Sequence, residues 1–378
     1  MVVRYLFIFQ LRMKAKLRNM NSDLTWVNIL TTLLAKKDLS RVEAKWAMNQ
    51  IMSGEATEAQ MGGFLLALRS KGEHIDELSG FVDVMLENSL KFPLGNDAID
   101  IVGTGGDQLG TVNISSMSAI LAAACGYPVL KHGSRSASGK TGSSEMLEEL
   151  GIRLDLTPEQ LAKVFAKTQI TFFFAPMFHP SLKNVGPTRK SLGVPTTFNF
   201  LGPLANPAQP IATALGVANE KMAPLLAAEL ASRGRIGLVF RGSDGLDELT
   251  TTGPSKVWVV FSGSVHEFEF DPLEIGIPRA EISQLIGGDA ADNAQVARTV
   301  LSNQNQLTGE QIAVRDIVAL NAAAGMLAYE LSKIDSLEGF DLNSRLSKHF
   351  QEAIAAINDG RAFAKLNEWV SASQSAGE

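Results

Sequence analysis

With 378 residues, 45% of them hydrophobic and 20% charged, the chain is long enough for two domains with full cores and has the balance of an ordinary globular protein. Its formal charge of −6 excludes the overall basic footprint of a nucleic-acid binder. Its single cysteine, Cys125, excludes an internal disulfide and a cysteine-based zinc site. Cys125 ends the apolar run Ile120–Cys125 and reads as a buried, inert thiol.

The chain opens with a short apolar run, Tyr5–Gln10, set between Arg4 and Arg12 and followed by Lys14, Lys16 and Arg18. The run is too short for a secretory signal, no small-residue cleavage site follows, and it falls far short of a membrane span. Met20 begins a segment that looks like an ordinary start, so Met1–Asn19 reads as a disordered extension or an over-called start, with a basic membrane-touching helix as the lesser alternative, and the N-terminal extension is set at residues 1–23. No later segment reads as a membrane span. The expected location is the cytoplasm, with no membrane partner.

Leu24, Val27, Leu30, Leu33 and Leu34 recur at helical spacing. Ser40 with Glu43, and Thr57 with Gln60, are capping-box signatures for two more helices, running through Ile51 and Ser70. Ile75–Leu90 is a fourth helix, and Phe92-Pro93-Leu94-Gly95 closes a helical domain without strand signal. From Ala98 the chain alternates strand and helix, the pattern of an α/β domain with a mostly parallel central sheet. Strands are expected at Ala98–Val102, Tyr127–Leu130, Thr171–Phe174, Ile236–Phe240 and Val257–Phe261, with His266–Phe270 as an edge strand. Helices at Pro158–Lys167 and Lys221–Arg233 lie among them. Residues 179–206, rich in Pro and Gly, interrupt the alternation with one helix, Ser181–Leu192. Helices at Asn293–Ser302, Gly309–Leu331 and Asn343–Trp369 close the chain.

Three loops carry chemistry. The first follows the strand Ala98–Val102: Gly103-Thr104-Gly105-Gly106-Asp107, then Thr111 and Asn113-Ile114-Ser115-Ser116 at the start of an apolar helix through Cys125. Its glycines permit positive φ and close approach of a ligand. Asn113, Ser115 and Ser116 stand where they can cap the helix and offer donors to an oxyanion. Gln108 replaces the third glycine of a dinucleotide fingerprint. In isolation the segment also fits a tight turn with an N-cap.

The second loop is Lys131–Gly151, KHGSRSASGKTGSSEMLEELG, a cationic Gly/Ser loop between a strand and a helix, Glu145–Leu150. Backbone N–H groups and a positive helix end would face an anion there, with basic side chains adding charge. Gly133 and Gly139 are separated by one residue too many for a Walker A loop. The third loop, after Ile236–Phe240, holds Asp244, Asp247 and Glu248. Clustered carboxylates at a strand end repel one another unless a cation or solvent relieves them. Opposite two anion loops, they suggest Mg²⁺ bridging the protein to a phosphorylated substrate.

Together GTGGDQLGTVNISS, the second loop, FAPMFHPSLKNVGPTRKSLG, TFNFLGPLANP and DGLDELTTTG resemble the anthranilate phosphoribosyltransferase family, in order from Leu24 to Trp369. The resemblance implies a nucleoside phosphorylase/phosphoribosyltransferase-like fold: a small helical domain, residues 24–94 with 179–206, and a larger α/β domain, residues 97–178 with 207–372. It implies transfer of the 5-phosphoribosyl group from phosphoribosyl pyrophosphate to anthranilate in tryptophan biosynthesis, with Mg²⁺ as cofactor and a homodimer as the assembly. Matched by motif, the donor would be bound by Gly103, Gly106, Asp107, Thr111, Asn113, Ile114, Ser115 and Ser116. The loop Lys131, His132, Gly133, Ser134, Arg135, Ser136, Ala137, Ser138 and Gly139 would join them, with Ser143. Anthranilate would meet Gly103, Ser134 and Arg189, and Mg²⁺ would take Ser115, Asp247 and Glu248. Ser134 departs from the family, which reads Asn there; a hydroxyl replaces an amide at the acceptor contact.

The reaction passes through a carbocation-like state at the ribose and needs no covalent protein nucleophile; the work is positioning and stabilising the leaving pyrophosphate. Of the five histidines, only His132 is expected near substrate. A pyrimidine-nucleoside phosphorylase-like enzyme is the alternative, against which Asp247 and Glu248 argue. A nucleic-acid-binding relative of the same fold would want the opposite net charge.

Overall fold

The computed structural model describes residues 24–135, 141–302 and 307–377. The expected extension 1–23 lies outside the described residues, as do Ser136, Ala137, Ser138 and Gly139 of the expected phosphate loop. In chain order the helices and strands are α1 (Trp26–Leu34), α2 (Arg41–Met52), α3 (Glu58–Lys71), α4 (Ile75–Glu87), β1 (Ile99–Gly103), α5 (Ile114–Ala124), β2 (Val129–Gly133), α6 (Ser143–Glu149), α7 (Pro158–Thr168), β3 (Ile170–Phe174), α8 (Ala175–Phe178), α9 (Gly186–Leu192) and α10 (Phe198–Leu201). They continue with β4 (Ala212–Gly216), α11 (Met222–Ser232), β5 (Ile236–Gly242), β6 (Ser255–Phe261), β7 (Ser264–Phe270), α12 (Ala290–Ser302), α13 (Gly309–Leu331), α14 (Leu342–Asn358) and α15 (Arg361–Ala376).

The chain divides into two compact units. The smaller comprises residues through Asn88 together with Ser181–Thr197; the larger comprises Ser89–Pro180 and Phe198–Glu378. In the smaller unit both expected capping boxes are formed, Ser40 with Glu43 ahead of α2 and Thr57 with Gln60 ahead of α3. Its core is aromatic: Trp26 meets Phe64 edge-on at 5.8 Å, and Phe64 meets Phe81 at 5.8 Å. The returning segment is held by side-chain amide and hydroxyl bonds. Asn184 Nδ2 donates to Met52 O at 2.8 Å and Thr197 Oγ1 to Glu73 Oε1 at 2.9 Å. Residues 89–94, 179–180 and 198–206, expected in the helical domain, belong to the larger unit. Asn206 is buried there, its Nδ2 donating to Asp100 Oδ2 at 2.8 Å and to Leu130 O at 2.7 Å.

The larger unit is a seven-stranded sheet in the order β3-β2-β1-β4-β5-β6-β7. β3 through β5 run parallel, and β6 and β7 add antiparallel strands at one edge. β7 is an edge strand, as its alternating sequence predicted. β4, ATALG, has no counterpart among the expected strands. Two helix expectations are corrected. Ser181–Leu192 is a 3₁₀ turn, Pro180–Asn184, followed by the short α9. Asn343–Trp369 is two helices, because Gly360 takes φ 85° and breaks the run after Asp359.

α13 is long and apolar enough to cross a membrane by length and composition, contrary to the expectation that no such segment follows the N-terminus. It is instead the core helix of this unit, buried along most of its length. Cys125 is half-buried, its Sγ 3.7 Å from Glu352 O, and burial pushes the thiol up to about 12, the inert thiol the sequence suggested.

Candidate active site

From β1 the chain builds outward through β2 to β3, and from β4 outward to β5, so the sheet's direction of growth reverses between β1 and β4. Ligands of such sheets bind at the carboxyl ends of the strands beside that reversal. Gly103 ends β1 and Gly216 ends β4, paired in register. Neither can carry a side chain, because the acidic loop after β5 lies across both. A Cβ on Gly216 would come 1.6 Å from Asp247 O, and one on Gly103 would come 2.1 Å from Asp247 Oδ2. Gly105 N–H donates to Asp247 Oδ2 at 2.7 Å, which ties the glycine loop to the acidic loop.

The three carboxylates of that loop have different tasks. Asp244 is spent on the turn: its Oδ2 accepts from Thr250 Oγ1 and Thr252 Oγ1, both at 2.6 Å, and its Oδ1 accepts from Leu246 N–H at 3.0 Å. Asp247 and Glu248 are each only 8% exposed. Burial, then the charge of Asp107, pushes Asp247 up to about 7. Burial and the charge of Asp247 hold Glu248 well above the usual range, against the opposing pull of Lys131 and the Ser115 backbone N–H. Lys131, on β2, is itself buried, donating from Nζ to Ile101 O at 2.5 Å and to Ser115 Oγ at 3.3 Å. Burial lowers its pKa, while Asp100, Glu248 and Asp247 raise it. Asp100, Glu248 and Asp247 thus act on one buried amine, and Asp107 adds its charge to Asp247 and Glu248.

Buried carboxylates whose charged forms lack a sufficient partner fit a divalent cation. Among the described residues, no group of three or more His, Cys, Asp or Glu side chains is placed to hold a metal by itself. Two carboxylates and a serine suit a hard cation that completes its shell with water and substrate phosphate. Asp247 carries a pH signature with it. In the unfolded chain it releases its proton near the ordinary 3.8; in the folded protein it does so near 7. Its contribution to stability is therefore fully present below about pH 4 and lost as the pH rises to about 7. Melting of the metal-free protein across that window should show a smaller fall in Asp247→Asn than in wild type. Parallel melting curves would refute the burial reading.

The helix that follows the glycine loop is not capped as expected. Asn113 is the N-cap of α5 but makes no side-chain cap bond. Its Oδ1 accepts from Asn293 Nδ2 at 2.9 Å and its Nδ2 donates to Thr141 O at 3.5 Å. Ser116 Oγ is buried in the first turn of α5 with no partner, a donor without an acceptor. Thr111 bridges to Ile286, and Thr141 Oγ1 donates to Gly288 O at 3.1 Å. The segment Ile286–Asn293 therefore braces both anion loops, and the sequence reading missed it. Its signal was the pair Gly287-Gly288: a Cβ on Gly287 would come 3.0 Å from Thr111 O.

In the second loop, Gly133 ends β2 with no room for a side chain, and Ser143 Oγ donates to Ser134 O at 3.3 Å. Arg135 is engaged already, with Glu148 at 3.1 Å and above the Phe174 ring at 5.5 Å. His132 is buried, with Nδ1 2.9 Å from Gly202 O, Nε2 unpartnered and its ring 5.2 Å from that of His179. Burial, then His179, pushes it down to about 3, so it is neutral. Gly106 takes φ 85° in the first loop. Arg189 sits on α9 in the other unit, half-buried, and burial lowers its pKa.

Residues 95–363 match the model of the glycosyl transferase family, a/b domain, and residues 27–89 that of the glycosyl transferase family, helical bundle domain. An anthranilate phosphoribosyltransferase of Leifsonia xyli is 50% identical over 355 residues, covering 94% of this chain and 100% of the relative. That of an Arthrobacter strain is 50% identical over 346 residues, covering 92% and 95%. Among solved structures, anthranilate phosphoribosyltransferase from Thermus thermophilus has a TM-score of 0.81 at 34% identity, covering 92% of this chain and 99% of that one. The Saccharomyces cerevisiae enzyme in complex with phosphoribosyl pyrophosphate and Mg has a TM-score of 0.82 at 26% identity, covering 93% and 98%. Another structure of the yeast enzyme holds 4-fluoroanthranilate. None of these relatives is named as a nucleoside phosphorylase.

Proposed function

This chain belongs to the anthranilate phosphoribosyltransferase family, and we propose that it transfers the 5-phosphoribosyl group from phosphoribosyl pyrophosphate to the amine of anthranilate, releasing pyrophosphate, as a step of tryptophan biosynthesis. The observation that supports this reading best is the buried pair Asp247 and Glu248, laid over the glycine ends of β1 and β4 beside Lys131. On this reading Asp247, Glu248 and the Ser115 hydroxyl hold Mg²⁺. When bound, Mg²⁺ neutralises charge on the pyrophosphate as it leaves.

The rest of the work falls to the chain's own groups. Gly103, Gly106, Asp107, Thr111 and Asn113 to Ser116 hold the donor, together with Lys131 to Arg135 and Ser143. The unpartnered Ser116 hydroxyl and the N-terminal amides of α5 are donors fixed before the ligand arrives, so little reorganisation accompanies charge build-up. Lys131 supplies a buried amine beside the anion loops, its pKa lowered by burial against the opposing pull of Asp100, Glu248 and Asp247. Arg135 must exchange Glu148 for phosphate. The buried, neutral His132 orients the loop through Gly202 and His179 and does not act as a base. The acceptor is an aromatic amine, already a nucleophile at neutral pH. Gly103 and Ser134 are assigned to anthranilate in the larger unit, and Arg189 offers a planar fork to a carboxylate.

Loss of anthranilate fluorescence should require both phosphoribosyl pyrophosphate and Mg²⁺; no loss with both present, or phosphate-dependent release of the base from a pyrimidine nucleoside, would refute the reading. Arg189→Ala should raise the anthranilate KM by roughly 10- to 150-fold, the range for a hydrogen bond to a charged group, with the donor KM within a few-fold. An equal rise in both would remove Arg189 from the acceptor site. A homodimer through the helical unit is supported by Val27 and Leu34, each 74% exposed on α1. A cytoplasmic location is proposed on the family resemblance.

A further inference from the structure

We propose that Asn321 is a positioning residue for the metal-bearing carboxylates, an inference that rests on the metal reading of Asp247 and Glu248. Asn321 lies in the middle of α13, fully buried among Val318, Leu320, Ala322 and Ala324. An amide there is unfavourable unless every polar atom is bonded. Here each is. Oδ1 accepts from Leu249 N–H at 2.9 Å, and Nδ2 donates to Leu249 O at 2.9 Å and to Ile317 O at 2.9 Å. The side chain grips both backbone polar groups of the residue that follows Glu248, and anchors itself to its own helix. The peptide leaving Glu248 is thereby fixed in direction by the core helix.

The other side of the acidic loop is fixed separately, through Gly105 on Asp247 and through the threonines on Asp244. Asp247 is thus oriented by the glycine loop, and Glu248 by Asn321. Metal sites need their ligands held in place before the ion arrives, and groups that orient a ligand without touching the metal affect affinity by about 10- to 100-fold. Two of the three bonds of this amide go to the loop, and without them the buried Leu249 N–H and C=O would lose their side-chain partner.

The test compares wild type, Asn321→Ala, Asn321→Ser and a control, Leu346→Ala, which removes a buried side chain of α14 outside the site. Binding of Mn²⁺ in the presence of pyrophosphate is read by electron paramagnetic resonance, and half-maximal Mg²⁺ by activity. Asn321→Ala should bind Mn²⁺ about 10- to 100-fold more weakly, need correspondingly more Mg²⁺, and recover most of its kcat at saturation. The serine variant, which keeps one hydroxyl, should fall between. Leu346→Ala should melt lower and bind Mn²⁺ as wild type does. A folded Asn321→Ala within about two-fold of wild-type Mn²⁺ affinity would overturn the proposal. Should the alanine variant not fold, unchanged affinity in the serine variant would do so. A wild type that binds no Mn²⁺ with pyrophosphate would overturn the metal reading itself.

Discussion

Asp247→Asn combined with Glu248→Gln should lower kcat/KM at fixed Mg²⁺ by on the order of 10³-fold and leave the metal-free protein at least as stable as wild type. The first effect follows from losing the cation on the leaving pyrophosphate, which is several kcal/mol of transition-state stabilisation. The second follows from burial. Both carboxylates are held above their ordinary range, Asp247 near 7, because the folded protein disfavours their charge. Neutral amides remove that repulsion, and an Asn at 247 can still accept from Gly105 N–H. Steady-state kinetics over a Mg²⁺ series and thermal melting of the metal-free protein read the two effects. A wild-type Mg²⁺ profile would refute the assignment, and a large fall in melting temperature would show the pair to be structural.

Gly216→Ala should destabilise the α/β unit by roughly 3 kcal/mol or more, beyond the usual range for an added methyl in a packed core. The new Cβ would meet the carbonyl oxygen of Asp247 at 1.6 Å and its carbon at 2.3 Å, backbone atoms in a loop pinned by Gly105, Asn321 and the threonines. Neither partner can yield cheaply, since β4 is the middle strand, hydrogen-bonded on both sides. Gly186→Ala, where a Cβ would meet nothing within 4 Å, is the control. Denaturant unfolding compares them. A Gly216→Ala protein as stable as the control would mean that the acidic loop moves aside, and Mg²⁺ dependence would then be lost instead.

The same residue explains the largest failure of the sequence reading. Most of the sheet was legible, because strands such as Ile236–Gly242 are apolar runs ending in Gly-rich loops. β4 was not. Ala212-Thr213-Ala214-Leu215-Gly216 carries almost none of the β-branched or aromatic residues that mark a strand. A Cβ on Gly237 of β5 would come 2.2 Å from Thr213 O, and Gly216 must be bare for Asp247. The demands of the site thus thinned the strand's signal.

The motif residues of the larger unit do gather at one end of the sheet, since loop signals are local. What the sequence concealed were their supports: Asn293 behind Asn113, Asn321 behind Leu249 and Asn206 behind Asp100. Each is a buried asparagine acting on backbone or side chain far along the chain, and no local pattern announces such a partner. The break at Gly360 was legible in principle, as a glycine following Asp359 within an otherwise helical pattern.

The order in which these pieces leave a ribosome matters. The site joins Gly105 to Asp247, 142 residues apart, and Leu249 to Asn321, a further 72. Gly105 and Asn321 stand 216 residues apart, which translation at about 5–20 residues per second spreads over roughly 10–40 s. For that time the nascent chain carries its glycine loop without the anchored acidic loop above it. Metal and phosphoribosyl donor therefore cannot hold an unfinished chain in a partial fold. They stabilise only the completed α/β unit, by mass action on the native state, and a truncated product ending before α13, whose acidic loop lacks the Asn321 anchor, would gain less protection from either.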